Sequence, residues 1–236
     1  MNEARKDLKF YQELWNTKKA RAVDATNSSR IGSAYDLLGE GGDLLDVGCG
    51  AGEVALLANK NFSRIYGVDI ANSVSATAIE KGLIFKQINL NTESLPFGDS
   101  SFDLVTCLDV IEHVFDPISL VIEINRVLRP QGNLILSTPN FRKIANIIKL
   151  FVKGEFPNTS GDTLGWDGGH LHYFTYEDIK RLVTSNGMAI VERRSLVSTE
   201  KHEILKKYLK LLLPRKIFNE FLSGGILIKA CKRAST

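Results

Sequence analysis

The chain of 236 residues predicts an α/β domain in which helices cover both faces of a doubly wound, mostly parallel sheet. Three observations carry that prediction. Short apolar runs of strand length alternate with segments of helical period along most of the sequence. One run, Leu44 to Val47, passes directly into glycines at alternate positions, Gly48, Gly50 and Gly52. A hydrophobic content of 44% over this length supplies one large core, so residues 1–236 read as a single domain.

The elements follow in order. Residues 5–20 predict an amphipathic helix, with Phe10, Tyr11, Leu14 and Trp15 on one side, inside an N-terminal helical cap at 1–40. A core at 41–140 opens with a strand at 43–47 and, after the glycines, a helix start at Glu53. Strands are expected near 65–69, 84–88 and 103–108. Asp116 and Pro117 form a helix start, with aspartate as N-cap and proline in the first turn. That helix stops before Pro130 and Gly132, and Asn133 to Pro139 reads as the fifth strand. Thr175, with Asp178 three places on, caps a further helix that ends at Gly187. Met188 to Val197 and Ile226 to Lys232 are the last strands.

Two segments interrupt the alternation. Residues 141–169 follow the fifth strand at the sheet edge where substrate loops belong, and carry Phe151, Phe156 and Trp166 with Arg142, Lys143, Lys149 and Lys153. In the C-terminal part, 170–236, residues 201–222 form a basic amphipathic stretch broken at Pro214. Ile204, Leu205, Tyr208, Leu209 and Leu212 share a face there, which suits packing on the domain or a twin subunit, with weak membrane-surface contact as a lesser use.

The glycine turn sets the chemistry. Glycines at a strand-to-helix turn let a ligand approach outward-pointing main-chain N–H groups with no Cβ in the way. Dinucleotide binding wants a third glycine five places after the first, where this chain has Glu53, and no Gly-Lys-Ser/Thr follows for a phosphate loop. The pattern is instead Asp46-x-Gly48-x-Gly50-x-Gly52. It resembles the first motif of class I S-adenosylmethionine-dependent methyltransferases. The next strand ends in Asp69, placed to accept hydrogen bonds from ribose hydroxyls. Asn89 to Val114 is similar to the middle of the same family, with Leu95, Pro96, Phe97, Phe102 and Asp103 matching as they stand. One departure stands out: where the family offers an aspartate to the adenine amino group, this chain has Asn89, or Asn91 on a different count of the loop. An asparagine carbonyl still accepts from an exocyclic amine, without charge, and the Leu90 N–H could serve the ring.

The resemblance spans about residues 40–198 and the final strand. It implies a seven-stranded, Rossmann-like sheet with an antiparallel last strand, S-adenosyl-L-methionine as cofactor and S-adenosyl-L-homocysteine as product. It places cofactor contacts at Asp46, Gly48, Cys49, Gly50, Gly52, Asp69, Ile70, Asn89, Leu90, Asn91, Leu108 and His113. The cofactor's methyl is already activated, so the protein must place an attacking O or N atom in line and remove a proton from a hydroxyl acceptor. Histidine suits that task. Of the four histidines, His202 lies in the basic stretch and His113 reads as a cofactor-side residue. His170 and His172, in GGHLHYFT, are the candidates for a catalytic base, and the segment resembles the family's His-x-x-x-Phe-Ser/Thr. Two residues apart in extended chain they face opposite sides, so one at most enters the pocket.

Neither a His-Glu-x-x-His nor a cysteine pair appears, so no metal is expected. Cys49, Cys107 and Cys231 read as small buried residues suited to a reducing cytoplasm. The net charge of +3 is too slight to imply nucleic acid. No signal-peptide pattern opens the sequence, and no apolar run approaches the ~18 residues of a membrane span. The expectation is a cytoplasmic methyltransferase, monomer or homodimer, acting on O or N of a small-molecule or glycan-like acceptor. A non-catalytic S-adenosylmethionine-binding subunit is the alternative.

Overall fold

The computed structural model describes residues 30–160, 166–196 and 214–234, together with Lys9. Apart from Lys9, the expected N-terminal helix lies outside the described residues, as do residues 201–213 with His202. In chain order the elements are α1 (Arg30–Leu38), β1 (Gly41–Val47), α2 (Glu53–Ala58), β2 (Phe62–Asp69), α3 (Ala76–Glu80), β3 (Leu83–Gln87), β4 (Phe102–Leu108) and α4 (Pro117–Val127). They continue as β5 (Leu128–Pro139), α5 (Ile144–Lys153), α6 (Tyr176–Ser185), β6 (Met188–Leu196), α7 (Arg215–Phe221) and β7 (Gly225–Lys232).

The seven strands form one sheet in the order β3-β2-β1-β4-β5-β7-β6. The first five pair in parallel, while β7 runs antiparallel to both β5 and β6. Strand order reverses beside β1, between β2 and β4, and there the connections leave on opposite faces and open a crevice at the C-terminal strand ends. Burial on both faces explains the continuous apolar run of β1, where neighbouring Leu44 and Leu45 are both fully buried on opposite sides. Leu44 packs with Ala34, Leu37, Val54, Ala55 and Ala58 of α1 and α2. Leu45 packs with Leu120, Val121, Ile124, Ile179 and Val183 of α4 and α6.

The helix starts follow their caps. Asp116 Oδ1 accepts from the N–H groups of Ile118 and Ser119, with Pro117 in the first turn of α4. Thr175 and Asp178 form a reciprocal capping box at the start of α6. Strand β5 starts earlier than expected. Leu128 already pairs with Phe102, the register slips, and regular pairing resumes at Leu104 and Asn133. Pro130 has no N–H to give a ladder, and Gln131 takes a left-handed φ of 64°, so the slip occurs where regular pairing is impossible. Beyond β5, Asn140 bridges Phe174, so the segment between them leaves the sheet and returns at one point. Buried Asn140 donates to the carbonyls of Glu220 and Ser223, which anchors the 214–224 segment at the same sheet edge. Among the described residues, no helix is long and apolar enough to cross a membrane.

Candidate active site

The C-terminal ends of β1 to β5 bring the expected site residues to one edge. After β1 the N–H groups of Gly48 and Cys49 both donate to the Val68 carbonyl, at 2.8 and 3.1 Å, turning the chain sharply out of the sheet. Gly52 holds φ 87°, and a Cβ there would lie 2.5 Å from Ala78 Cβ. Glycine is therefore required by backbone conformation and by helix packing together. Burial pushes the Cys49 and Cys107 thiols up, so both stay protonated packing residues, as expected.

Two buried acids frame this turn. Asp46 accepts from Thr106 Oγ1 at 2.6 Å, and burial, aided by the nearby Asp69 and Glu53 charges, pushes its carboxyl up to about 7 against the Thr106 hydrogen bond. Asp69 joins the turn to its own strand end: Oδ2 accepts from Gly50 N at 2.9 Å and Oδ1 from Ala71 N at 2.8 Å. Burial raises the Asp69 pKa, offset in part by the Ala71, Gly50 and Ile70 amides. Each Asp69 oxygen retains a lone pair, so occupancy by the backbone leaves room for a ribose hydroxyl. The Ile70 carbonyl accepts from the Gln87 side chain.

The two asparagines are tied into the loop by their own side chains. Asn89 Oδ1 accepts from Asn91 N at 3.0 Å, and Asn91 Oδ1 accepts from Phe115 N at 2.8 Å. Both carbonyls thus brace the loop with one lone pair left on each, and Asn89 Nδ2 is buried without a hydrogen-bond partner. Leu90 packs against the core beside them, and Leu108 closes β4.

Past β4 the two histidine segments meet. His113 Nδ1 lies 3.1 Å from the Gly169 carbonyl. A carbonyl only accepts, so Nδ1 carries a hydrogen. The Glu112 carbonyl receives the N–H groups of Leu171 and His172 at 2.8 and 3.1 Å, which lays GGHLHYFT against the end of β4. His170 and His113 then stack edge to face with centroids 4.7 Å apart.

His170 is oriented by a relay. Buried Asp167 accepts from Thr159 N, Ser160 N and the Thr159 hydroxyl at 2.8 Å. Burial pulls the Asp167 carboxyl up, but these donors and His170 outweigh it, so it stays charged and below its ordinary value. With its one hydrogen given to Asp167, Thr159 Oγ1 accepts from His170 Nδ1 at 2.7 Å. His170 Nε2 then lies on the far side of the ring, 4.0 Å from Glu112 Oε1. Glu112 is in turn held by Thr138 Oγ1 at 3.1 Å. Ligand atoms of Glu112, His113 and His170 all lie within 4.8 Å of one another, a spacing a divalent cation could also use.

His172 points elsewhere. It stacks on Phe174, and its Nε2 is buried without a hydrogen-bond partner. The pair thus divides as alternation along an extended segment predicts.

A family model described as a methyltransferase domain matches residues 45–136. The ubiquinone biosynthesis O-methyltransferase of Alkalilimnicola ehrlichii is 34% identical over 122 residues, covering 48% of this chain and 49% of the relative. That of Rickettsia canadensis is 30% identical over 164 residues, 66% of each chain.

The chain belongs to the class I S-adenosylmethionine-dependent methyltransferases.

The family's cofactor is S-adenosylmethionine, and this methyltransferase chain spans between about half and two thirds of the length of these curated relatives. Its sheet is shared with a solved S-adenosylmethionine-dependent methyltransferase from Mesorhizobium loti: TM-score 0.62, 19% identity, covering 89% of this chain and all of that one. The match of the family model ends inside β5. Beyond it, Phe141, Phe156 and Tyr173 pack on one another with centroids 4.9–5.6 Å apart, beside His170.

Sequence reasoning missed Glu112, Thr138, Thr159 and Asp167. Glu112 was legible only as the neighbour of His113, and Asp167 only as a carboxylate three places before His170. Nothing local marks Thr159 or Thr138, because their roles arise from chain segments meeting in space.

Proposed function

We propose that this domain transfers the methyl group of S-adenosylmethionine to a hydroxyl oxygen of a small, partly aromatic acceptor, with His170 Nε2 as the base. The observation that carries this reading is the Asp167–Thr159–His170 relay, which orients the ring through Nδ1 and turns Nε2 toward Glu112. The acceptor oxygen attacks the methyl carbon as the carbon–sulfur bond breaks. The acceptor's proton passes to Nε2, and S-adenosylhomocysteine leaves as the neutral thioether. Charged Asp167 favours the imidazolium that forms, through Thr159 and directly at 3.4 Å from Nδ1.

Several features support the finer choices. The relatives are named for O-methylation in ubiquinone biosynthesis, which favours a hydroxyl over an amine. Phe141, Phe156 and Tyr173 offer mainly ring surface, with the Tyr173 hydroxyl as their one polar group, which favours an aromatic acceptor over a glycan-like one. On the cofactor side, Asp46, Asp69 and the Gly48–Gly52 turn would hold the cationic amino acid and ribose. Asn89 Nδ2 would donate to a ring nitrogen of the adenine instead of accepting from its amine.

Release of S-adenosylhomocysteine against a panel of phenols and catechols tests the reaction, and its absence with every acceptor favours the alternative of a non-catalytic binding subunit. His170→Gln should lower kcat about 10²- to 10⁴-fold with cofactor affinity nearly unchanged. Thr159→Val should fall partway, Thr159→Ser should recover, and His172→Gln should keep near-full turnover. Activity lost to a chelator and restored by a divalent cation would assign the Glu112–His113–His170 cluster to a metal instead.

A further inference from the structure

Helix α5 is built unlike the other helices of the domain. Of its ten residues seven are apolar, yet none is buried. Phe151 is 82% exposed, Val152 76% and Ile148 50%, and Trp166, further along the chain, is 72% exposed. A helix on a water-facing surface normally buries its apolar stripe. Here, among the described residues, the stripe faces outward. Contiguous apolar surface of this kind marks an interaction site.

Its rim is basic. Lys143 stands at the N-terminal end of α5, Lys149 within it and Lys153 at its last turn. Glu155 is the acidic residue beside them, and it pairs with Lys149 at 3.6 Å. Arg142, just before the helix, is engaged by buried Glu220. The surface therefore offers aromatic and aliphatic side chains bordered by uncompensated positive charge.

We infer that α5 and Trp166 dock the domain on an anionic lipid bilayer, with Phe151, Val152 and Trp166 entering the headgroup region and Lys143 and Lys153 meeting lipid phosphates. Charge selects this occupant over a second copy of the chain. A two-fold contact through α5 would bring like lysine rims together, whereas an anionic surface attracts both ends of the helix at once. Apolar insertion combined with basic flanks is the physical signature of a helix lying in a membrane interface. The helix follows β5, and its loop runs on through Phe156 and Thr159 to the His170 relay, so docking would turn the acceptor side of the site toward the lipid.

The docking does not depend on methyl transfer, and its test reads binding alone. The full chain is sedimented with vesicles of phosphatidylcholine alone or mixed with phosphatidylglycerol. It should pellet with the mixed vesicles, weakly with the neutral ones, and less as salt rises. Phe151→Ser with Val152→Ser should reduce vesicle binding at least about tenfold. Because both side chains are exposed, Tm and S-adenosylhomocysteine affinity should not move. Lys143→Glu with Lys153→Glu should remove the preference for anionic lipid. The inference is overturned if the wild type ignores both vesicles, or if the serine variant binds as well as the wild type. It is equally overturned if the wild type self-associates without lipid and the serine variant does not, which would make α5 a contact between copies.

Discussion

The two halves of the proposed site, one for cofactor and one for acceptor, are built in opposite ways. The cofactor half is a run of neighbouring residues whose own backbone makes the cradle: Asp46 through Gly52, closed by Asp69 onto the Gly50 amide. The acceptor half has no such run. Its central histidine is set by Thr159 and Asp167 on one side and Glu112 and His113 on the other, and none of these contacts is local to a single element. The cofactor half should thus be intolerant of backbone change, and the acceptor half sensitive to single side-chain atoms. Substitutions can test that division.

The largest effect belongs to the glycine turn. Gly52→Val forces a branched side chain into a left-handed position against Ala78 and Leu83, with Cβ 2.5 and 2.9 Å from their atoms. The variant should lose about 3 kcal/mol or more of stability and all detectable thermal shift from S-adenosylhomocysteine. A normal shift would show that the cradle is not made by the backbone. The His170→Gln variant provides the contrast, since its cofactor affinity should survive while turnover collapses.

Asp69→Ala keeps the backbone and removes one pair of acceptors. Cofactor binding should weaken by roughly 1.5–3 kcal/mol by calorimetry, as expected for charge-assisted hydrogen bonds. Unchanged affinity in a folded variant would take the ribose away from Asp69.

The smallest effect on cofactor binding is a pH dependence at Asp46. Its carboxyl rises from 3.8 to about 7 in the fold, so the folded chain holds a proton that the unfolded chain releases in that interval. Stability of the ligand-free protein should therefore fall as pH rises from about 4 to about 7 and stay low above it. A cationic ligand favours the ionised form, so S-adenosylmethionine affinity should grow about tenfold between pH 6 and pH 8. Asp46→Asn should flatten both profiles and be the more stable protein at pH 8. Parallel profiles for variant and wild type would assign the titration to another group.

The contrast between the halves also explains how much was legible in the chain. The strands, both capped helices and the glycine turn follow from nearest-neighbour chemistry: Asp116 and Pro117 start α4, and Thr175 and Asp178 start α6, wherever those helices end up. Strand β5 began five residues early because pairing with Phe102 extends it past a bulge that Pro130 and Gln131 conceal. The asparagines could be named as candidates from the sequence, but not their bonding within the loop. Which backbone N–H each carbonyl receives, that of Asn91 or of Phe115, depends on how the loop folds.

The sequence by itself determined a doubly wound sheet, a family and a cofactor cradle, because periodicity, caps and glycine φ preferences act over a few neighbouring residues. Only the tertiary structure decided which histidine faces Glu112, which of its nitrogens meets Thr159, and that no residue of α5 is fully buried among the described residues. Those outcomes depend on where distant segments stop relative to one another. A hydroxyl has one hydrogen to give, and the residue that receives it is fixed by proximity in space, which no local pattern encodes.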